Sequence, residues 1–87
     1  MEFDWDPAKS AANREKHGID FEEAKALWDD PRLLEAPANT EDEPRFLVIG
    51  KIGAKHWAAV CTRRSETVRI ISVRRARKQE IEAYESD

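Results

Sequence analysis

The chain has a single cysteine, two histidines, three glycines and no apolar run longer than five residues. A lone Cys61 closes no internal disulfide, and with His17 and His56 it falls short of the four clustered ligands of a structural zinc site. Metal and redox chemistry are therefore set aside, and no cofactor is expected. Runs of four or five apolar residues lie far below the roughly 20 that span a bilayer. The first residues, Met1-Glu2-Phe3-Asp4-Trp5-Asp6, are acidic where a signal peptide is basic. The expected setting is cytoplasmic, with no membrane partner. The 87 residues read as one domain, residues 1–87, with a thin core, because a chain this short buries only about 60–65% of its unfolded surface. Disorder does not fit, since Phe46-Leu47-Val48-Ile49 and the stretch from Val68 to Val73 supply apolar segments.

Charge is present in quantity and is unevenly placed. Residues 1–44 carry five basic and thirteen acidic side chains, net −8, whereas residues 45–87 carry ten and five, net +5. Between Arg63 and Lys78 seven bases face one acid, Glu66, and six of the seven are arginine. Arginine offers a planar fork that grips phosphate through two hydrogen bonds, so this window reads as a local polyanion site. A charged strand edge that discourages aggregation, or a surface for an acidic partner, is the plainer reading.

Asp6-Pro7 opens a first helix that Gly18 ends, because Asp caps free N–H groups and Pro suits the first helical position. Phe3-Asp4-Trp5 before it is a short strand or an anchoring arm. Ala8, Ala11 and Ala12 form a small-residue face for close packing, with Lys9, Asn13, Lys16 and His17 on the other side. Asp20 with Glu23 resembles a capping box, and Phe21, Ala24, Leu27 and Trp28 give a second amphipathic helix that stops before Pro31. Arg32–Glu35 suggests a short strand, and residues 36–44 an exposed loop. A three-stranded antiparallel meander follows: Arg45–Lys51, a Gly50/Gly53 turn, His56–Arg63, a turn at Arg64-Ser65-Glu66, and Thr67–Arg75. Strict alternation puts Val68, Ile70, Ser72 and Arg74 on one face of the last strand and Arg69, Ile71, Val73 and Arg75 on the other. Arg77–Tyr84 closes the chain as a helix with Ile81 and Tyr84 on one face.

Two stretches carry a resemblance: Trp5-Asp6-x-x-Lys9-x-x-x-Asn13-x-x-Lys16-His17-Gly18-Ile19-x-Phe21-Glu22-Glu23-Ala24, and Arg69-Ile70-Ile71-Ser72-x-Arg74-Arg75-Ala76 followed by Glu80 and Tyr84. Together they resemble the BrnT family of type II toxins, from Phe3 to Tyr84. The resemblance implies an α+β, RelE-like fold, with two N-terminal helices packed on a small antiparallel sheet of three to four strands and a C-terminal helix. It implies a ribonuclease that inhibits translation until a ribbon-helix-helix antitoxin, BrnA-like, neutralises it. The pair would form a heterotetramer that meets operator DNA only through the antitoxin. Phe21 to Trp28 is acidic where a groove-reading helix should be basic, which agrees. The family pattern marks Lys16, His17 and Gly18, then Thr62 and Arg64, the Arg69–Arg75 strand, and Glu80 and Tyr84. Family members commonly carry an aromatic residue where Cys61 stands and an acid where Arg63 stands.

RNA cleavage without metal uses the substrate 2′-hydroxyl as nucleophile, and so needs a base, positive charge on the phosphorane and an acid at the 5′-oxygen. The catalytic candidates are Lys16, His17, Arg64, Arg74, Arg75 and Tyr84. Arg64, Arg74 and Arg75 are candidates to clamp the phosphate, His17 to move the proton with Lys16 beside it, and Tyr84 to stack a base or donate a proton. Thr62, Arg63, Arg69, Ser72, Arg77 and Lys78 are candidates for RNA binding. Each has a plainer role as well. Lys16 and His17 complement the negative end of a helix dipole, Tyr84 at helical spacing from Ile81 suits a core, and Arg69 suits an ion pair. Trp5, Trp28 and Trp57 are read as packing residues. An acid required at position 63 as general base would leave the chain impaired or inactive, so a catalytically degenerate scaffold or co-repressor that binds the antitoxin stays as the alternative.

Overall fold

Asp6 and Pro7 begin the first helix as expected: in a computed structural model that describes residues 1–38 and 44–86, the Asp6 carboxylate accepts from the Ala8 N–H at 2.9 Å. This helix, α1 (Pro7–His17), ends at Gly18, whose φ of 80° needs a residue without Cβ and whose N–H bonds the Arg14 carbonyl. A strand, β1 (Glu2–Asp4), precedes it. The capping box at Asp20 and Glu23 also forms, with N–H to carboxylate distances of 2.8 and 3.0 Å. The helix it starts, α2 (Phe21–Ala24), lasts one turn and then tightens into a 3-10 turn (Lys25–Asp29). Phe21, Ala24 and Leu27 are all fully buried at intervals of three, the repeat of a 3-10 helix, and Pro31 disfavours the helical region at Asp30.

The remaining elements are β2 (Leu34–Ala38), β3 (Arg45–Ile52), β4 (Lys55–Arg64), β5 (Thr67–Arg75) and α3 (Lys78–Glu85). The strands form one sheet in the order β1-β5-β4-β3-β2, with β1 parallel to β5 and the other pairs antiparallel. This corrects the expected architecture of two N-terminal helices on three to four antiparallel strands. The sheet has five strands and is mixed, and α1, between β1 and β2, is the one full helix of the N-terminal half. Residues 36–38, expected in a loop, pair with β3 as part of β2; the rest of that expected loop, apart from Pro44, lies outside the described residues.

Gly50 lies within β3, opposite Trp57, and not in the turn. A Cβ there would meet Leu33 Cδ1 at 2.9 Å and Leu27 Cδ2 at 3.2 Å, so glycine lets the 3-10 turn approach the sheet. The β3–β4 turn is Gly53-Ala54, with Gly53 at φ 62°, and the β4–β5 turn is Ser65-Glu66, with Ser65 at φ 55°.

Strict alternation along β5 fails at one place. The register passes from Cys61↔Ile70 to Val60↔Ser72, which leaves Ile71 as the extra residue of a β-bulge. Val68, Ile70 and Val73 consequently join one core with Phe21, Leu27, Val48, Trp57, Ala59 and Cys61 on the face covered by α1, α2 and the 3-10 turn. Ser72 and Arg74 keep to the opposite face with Arg69. There Ile49, Ala58 and Tyr84 form a smaller cluster under α3.

The small-residue face of α1 is exposed, contrary to expectation, and its buried side chains are Ser10 and Asn13. Both satisfy backbone groups. Ser10 Oγ accepts from the Phe21 N–H at 2.9 Å. The Asn13 carboxamide donates to the carbonyls of Val73 and Ile19 at 2.9 and 2.8 Å and accepts from the Val73 N–H at 3.1 Å. It stands in for a missing strand partner where β1 has ended and β5 continues. The three tryptophans pack as expected: Trp5 lies edge-on to Phe21, Trp28 edge-on to Phe3, and Trp57 is buried.

Candidate active site

The strand register divides the candidate residues into two groups. Arg64 sits opposite Thr67, and Arg75 opposite Trp57. Seven residues of β4 separate the two levels, roughly 23 Å at about 3.3 Å per residue. The molecule is 33 Å along its longest axis, so these are opposite poles. Arg64, Arg74 and Arg75 therefore do not close on one phosphate.

At the first pole Thr62 is 3% exposed and donates its hydroxyl to the Pro44 carbonyl at 2.9 Å. Arg63 makes a two-pronged pair with Glu35 at 2.8 and 3.0 Å and lies over the Phe46 ring at 4.1 Å. That pairing holds the Glu35 carboxyl below its usual range. Arg69 pairs with Asp4 across β1 and β5 at 2.7 Å, the ion pair expected for an arginine flanked by isoleucines. Arg64 is exposed and has no partner among the described residues. Cys61 is buried beside them, and burial pushes its thiol up to about 12, which removes it as a nucleophile at neutral pH. Ser72 lies mid-sheet, half-buried.

The second pole gathers the rest. Arg74 gives both terminal nitrogens to Glu80 of α3 at 2.8 Å each; this pair holds the Glu80 carboxyl below its ordinary value and raises the arginine. Its fork is thus already occupied. Arg75 is exposed, with its guanidinium over the Trp57 ring at 5.5 Å and Nε donating to the His56 carbonyl at 3.3 Å. Arg77 and Lys78 follow on the surface, and the Arg77 N–H is capped by Glu80 at 2.8 Å. α1 runs in the sense of β5, since Asp4 pairs with Arg69 and Asn13 bonds Val73. Its last turn, one pitch beyond Asn13, carries Lys16 and His17 toward this pole. Lys16 is exposed and His17 half-buried, and neither has a partner among the described residues.

Tyr84 is 6% exposed, and its hydroxyl donates to Asp30 Oδ2. That bond and burial push the phenol up to about 12. Burial opposes ionisation of Asp30, but the Tyr84 hydroxyl and the N–H groups of Lys51 and Arg32 hold its carboxyl below the usual range. Tyr84 is a packing residue that fixes α3, and it presents no face for a base to stack on.

Sequence spacing singles out His56 only as one member of a metal-ligand set that is too sparse. In the fold its Nε2 lies 2.8 Å from Glu85 Oε2, and its ring stands edge-on to Tyr84 at 5.3 Å. Twenty-nine positions separate His56 from Glu85, so no local spacing announces the pair. Lys51 lies directly across from His56 in the β3–β4 register. Among the described residues no group of three His, Cys, Asp or Glu side chains converges, and no helix is long and apolar enough to cross a membrane.

The exposed cations of this pole, Lys16, Arg75, Arg77, Lys78 and Lys51, outnumber acids that are themselves mostly paired, which suits a polyanion. No curated protein matches the chain. Its sequence does match, over residues 5–80, the family described as ribonuclease toxin, BrnT, of type II toxin-antitoxin system. A match over so much of the length, with the Asn13 and Arg74–Glu80 positions of the motif filled by residues that hold the fold together, shows that the chain belongs to the BrnT family of type II ribonuclease toxins.

Proposed function

We propose that this toxin is a metal-independent endoribonuclease of the cytoplasm that cleaves RNA, stops translation, and is neutralised by a BrnA-like ribbon-helix-helix antitoxin in a heterotetramer. Operator DNA is met only through the antitoxin. The observation that carries the reading is the pole where Arg75, Arg77 and Lys78 follow one another beside the last turn of α1. Charge develops on the phosphorane as the 2′-oxygen attacks, so a guanidinium held in place there lowers the barrier more than it tightens binding. Arg75 is suited to that role, because Trp57 and the His56 carbonyl fix its plane while leaving it exposed. Lys16, His17, Arg77 and Lys78 bind the neighbouring backbone, and Arg64, at the far pole, binds RNA away from the scissile bond. Arg74 acts by holding α3 through Glu80.

The Arg63–Glu35 pair favours a second reading, a degenerate scaffold, because a neutralised cation stands where relatives commonly place an acid. Induced expression separates the two. An active toxin arrests growth, co-expressed antitoxin restores it, Arg75→Ala removes the arrest, and cellular RNA acquires 2′,3′-cyclic phosphate ends. A scaffold leaves growth unchanged.

A further inference from the structure

Cleavage of RNA by its own 2′-hydroxyl needs a proton acceptor held in one tautomer and one direction. The sequence offered His17, at the end of α1, but nothing among the described residues orients that ring. His56 is held on two sides. Glu85 Oε2 accepts from its Nε2 at 2.8 Å, and the Tyr84 ring stands edge-on to it at 83°, itself fixed by Asp30. With Nε2 carrying the proton toward a carboxylate, the lone pair rests on Nδ1, which has no partner among the described residues. The side chain is 17% exposed and so is not sealed within the core.

We infer that His56, oriented by Glu85, is the general base of this ribonuclease, with Lys51, on the same face of the sheet, as a second phosphate-binding cation besides Arg75. The inference rests on the ribonuclease reading above. Residues directly opposite in an antiparallel pair have Cβ atoms about 5 Å apart, so Lys51, exposed on β3, stands beside the imidazole. The charged and titratable groups around the ring are Glu85 and Tyr84 of α3, Lys51 of β3, Asp30 and Arg32 of the segment before β2, and Arg75 of β5, bonded to the His56 carbonyl. His56 accepts the 2′-hydroxyl proton as the O2′–P bond forms and the P–O5′ bond breaks. Water protonates the departing 5′-oxygen, and His56 returns its proton to solvent. The products are a 2′,3′-cyclic phosphate and a 5′-hydroxyl, with no oxidant, reductant or co-reactant. Glu85 acts through His56 and is a positioning residue.

The experiment measures cleavage of a short RNA by purified wild type, His56→Ala, His17→Ala and Glu85→Gln, with circular dichroism for each, and repeats the assays of both histidine variants in added imidazole. The expected result is a loss of about 100-fold or more in His56→Ala, recovered at least tenfold by imidazole, and a loss of about tenfold in Glu85→Gln. Should His56→Ala fail to fold, His56→Gln takes its place for the loss, and the Glu85→Gln result carries the orienting role. Cleavage by His56→Ala within threefold of wild type overturns the assignment, as does a loss that imidazole leaves unchanged in a folded variant. So does rescue by imidazole of His17→Ala while His56→Ala is silent. A wild type that cleaves nothing overturns the ribonuclease reading itself, and is thereby distinguished from failure of His56 alone.

Discussion

Asn13 joins three pieces of chain through one side chain, and its removal strands the Val73 N–H and two carbonyls inside the protein. An unsatisfied buried backbone group costs roughly 1–3 kcal/mol, so Asn13→Ala should lower unfolding free energy by about 2–4 kcal/mol in a urea titration. Helical periodicity sorted Asn13 with the exposed lysines, because a polar residue reads as surface wherever its partner is a distant strand edge. Gly50 presents the opposite problem. It reads as a turn residue, yet it serves as a flat place on β3 for Leu27 and Leu33. Gly50→Ala should cost about 1–3 kcal/mol through overpacking, measured the same way. A change below 0.5 kcal/mol would show that the 3-10 turn yields freely. The Glu35–Arg63 pair is about half exposed on both sides and should matter little to stability.

Among the elements, helix starts were legible because their chemistry is local: Asp6-Pro7 and the Asp20–Glu23 box both form. The second helix was overread, since intervals of three fit a 3-10 turn as well as the edge of an α-helix. The bulge at Ile71 was invisible because it depends on which residue of β4 each residue of β5 faces. It changes the chemistry of the face, bringing Arg74 under α3 where Glu80 waits. α3 has only a small apolar patch and is pinned by Arg74–Glu80, Tyr84–Asp30 and His56–Glu85. The folded protein holds the Glu80 carboxyl below its unfolded value, chiefly through the hydrogen bonds from Arg74. The stabilisation is therefore present above the unfolded carboxylate value of about 4.3 and is lost as pH falls through the folded one. Unfolding free energy should decline below about pH 5. Glu80→Gln should cost about 1–2 kcal/mol at pH 7 and flatten that decline in denaturation curves taken from pH 7 to 3.

For the whole molecule, the unequal charge of the two halves was plain from composition, as was the arginine-rich window. Its geometry was not, since a window contiguous in sequence wraps through a hairpin and ends at two poles roughly 23 Å apart. Of the candidate residues, the fold ties up Thr62, Arg63, Arg69, Arg74 and Tyr84 in its own contacts. It leaves Arg75, Arg77, Lys78, Lys16 and His17 toward one end. The family motif thus mixes residues that build the sheet with residues that face solvent, and only tertiary structure separates them. This end of the molecule is proposed to cleave RNA unaided by metal. The most direct test is incubation of purified RNA with folded wild type and folded Arg75→Ala in EDTA. The expected result is fragments ending in 2′,3′-cyclic phosphate from the wild type and at least a hundredfold slower cleavage by the variant; RNA left intact by the wild type, or cut equally by both proteins, rules the proposal out.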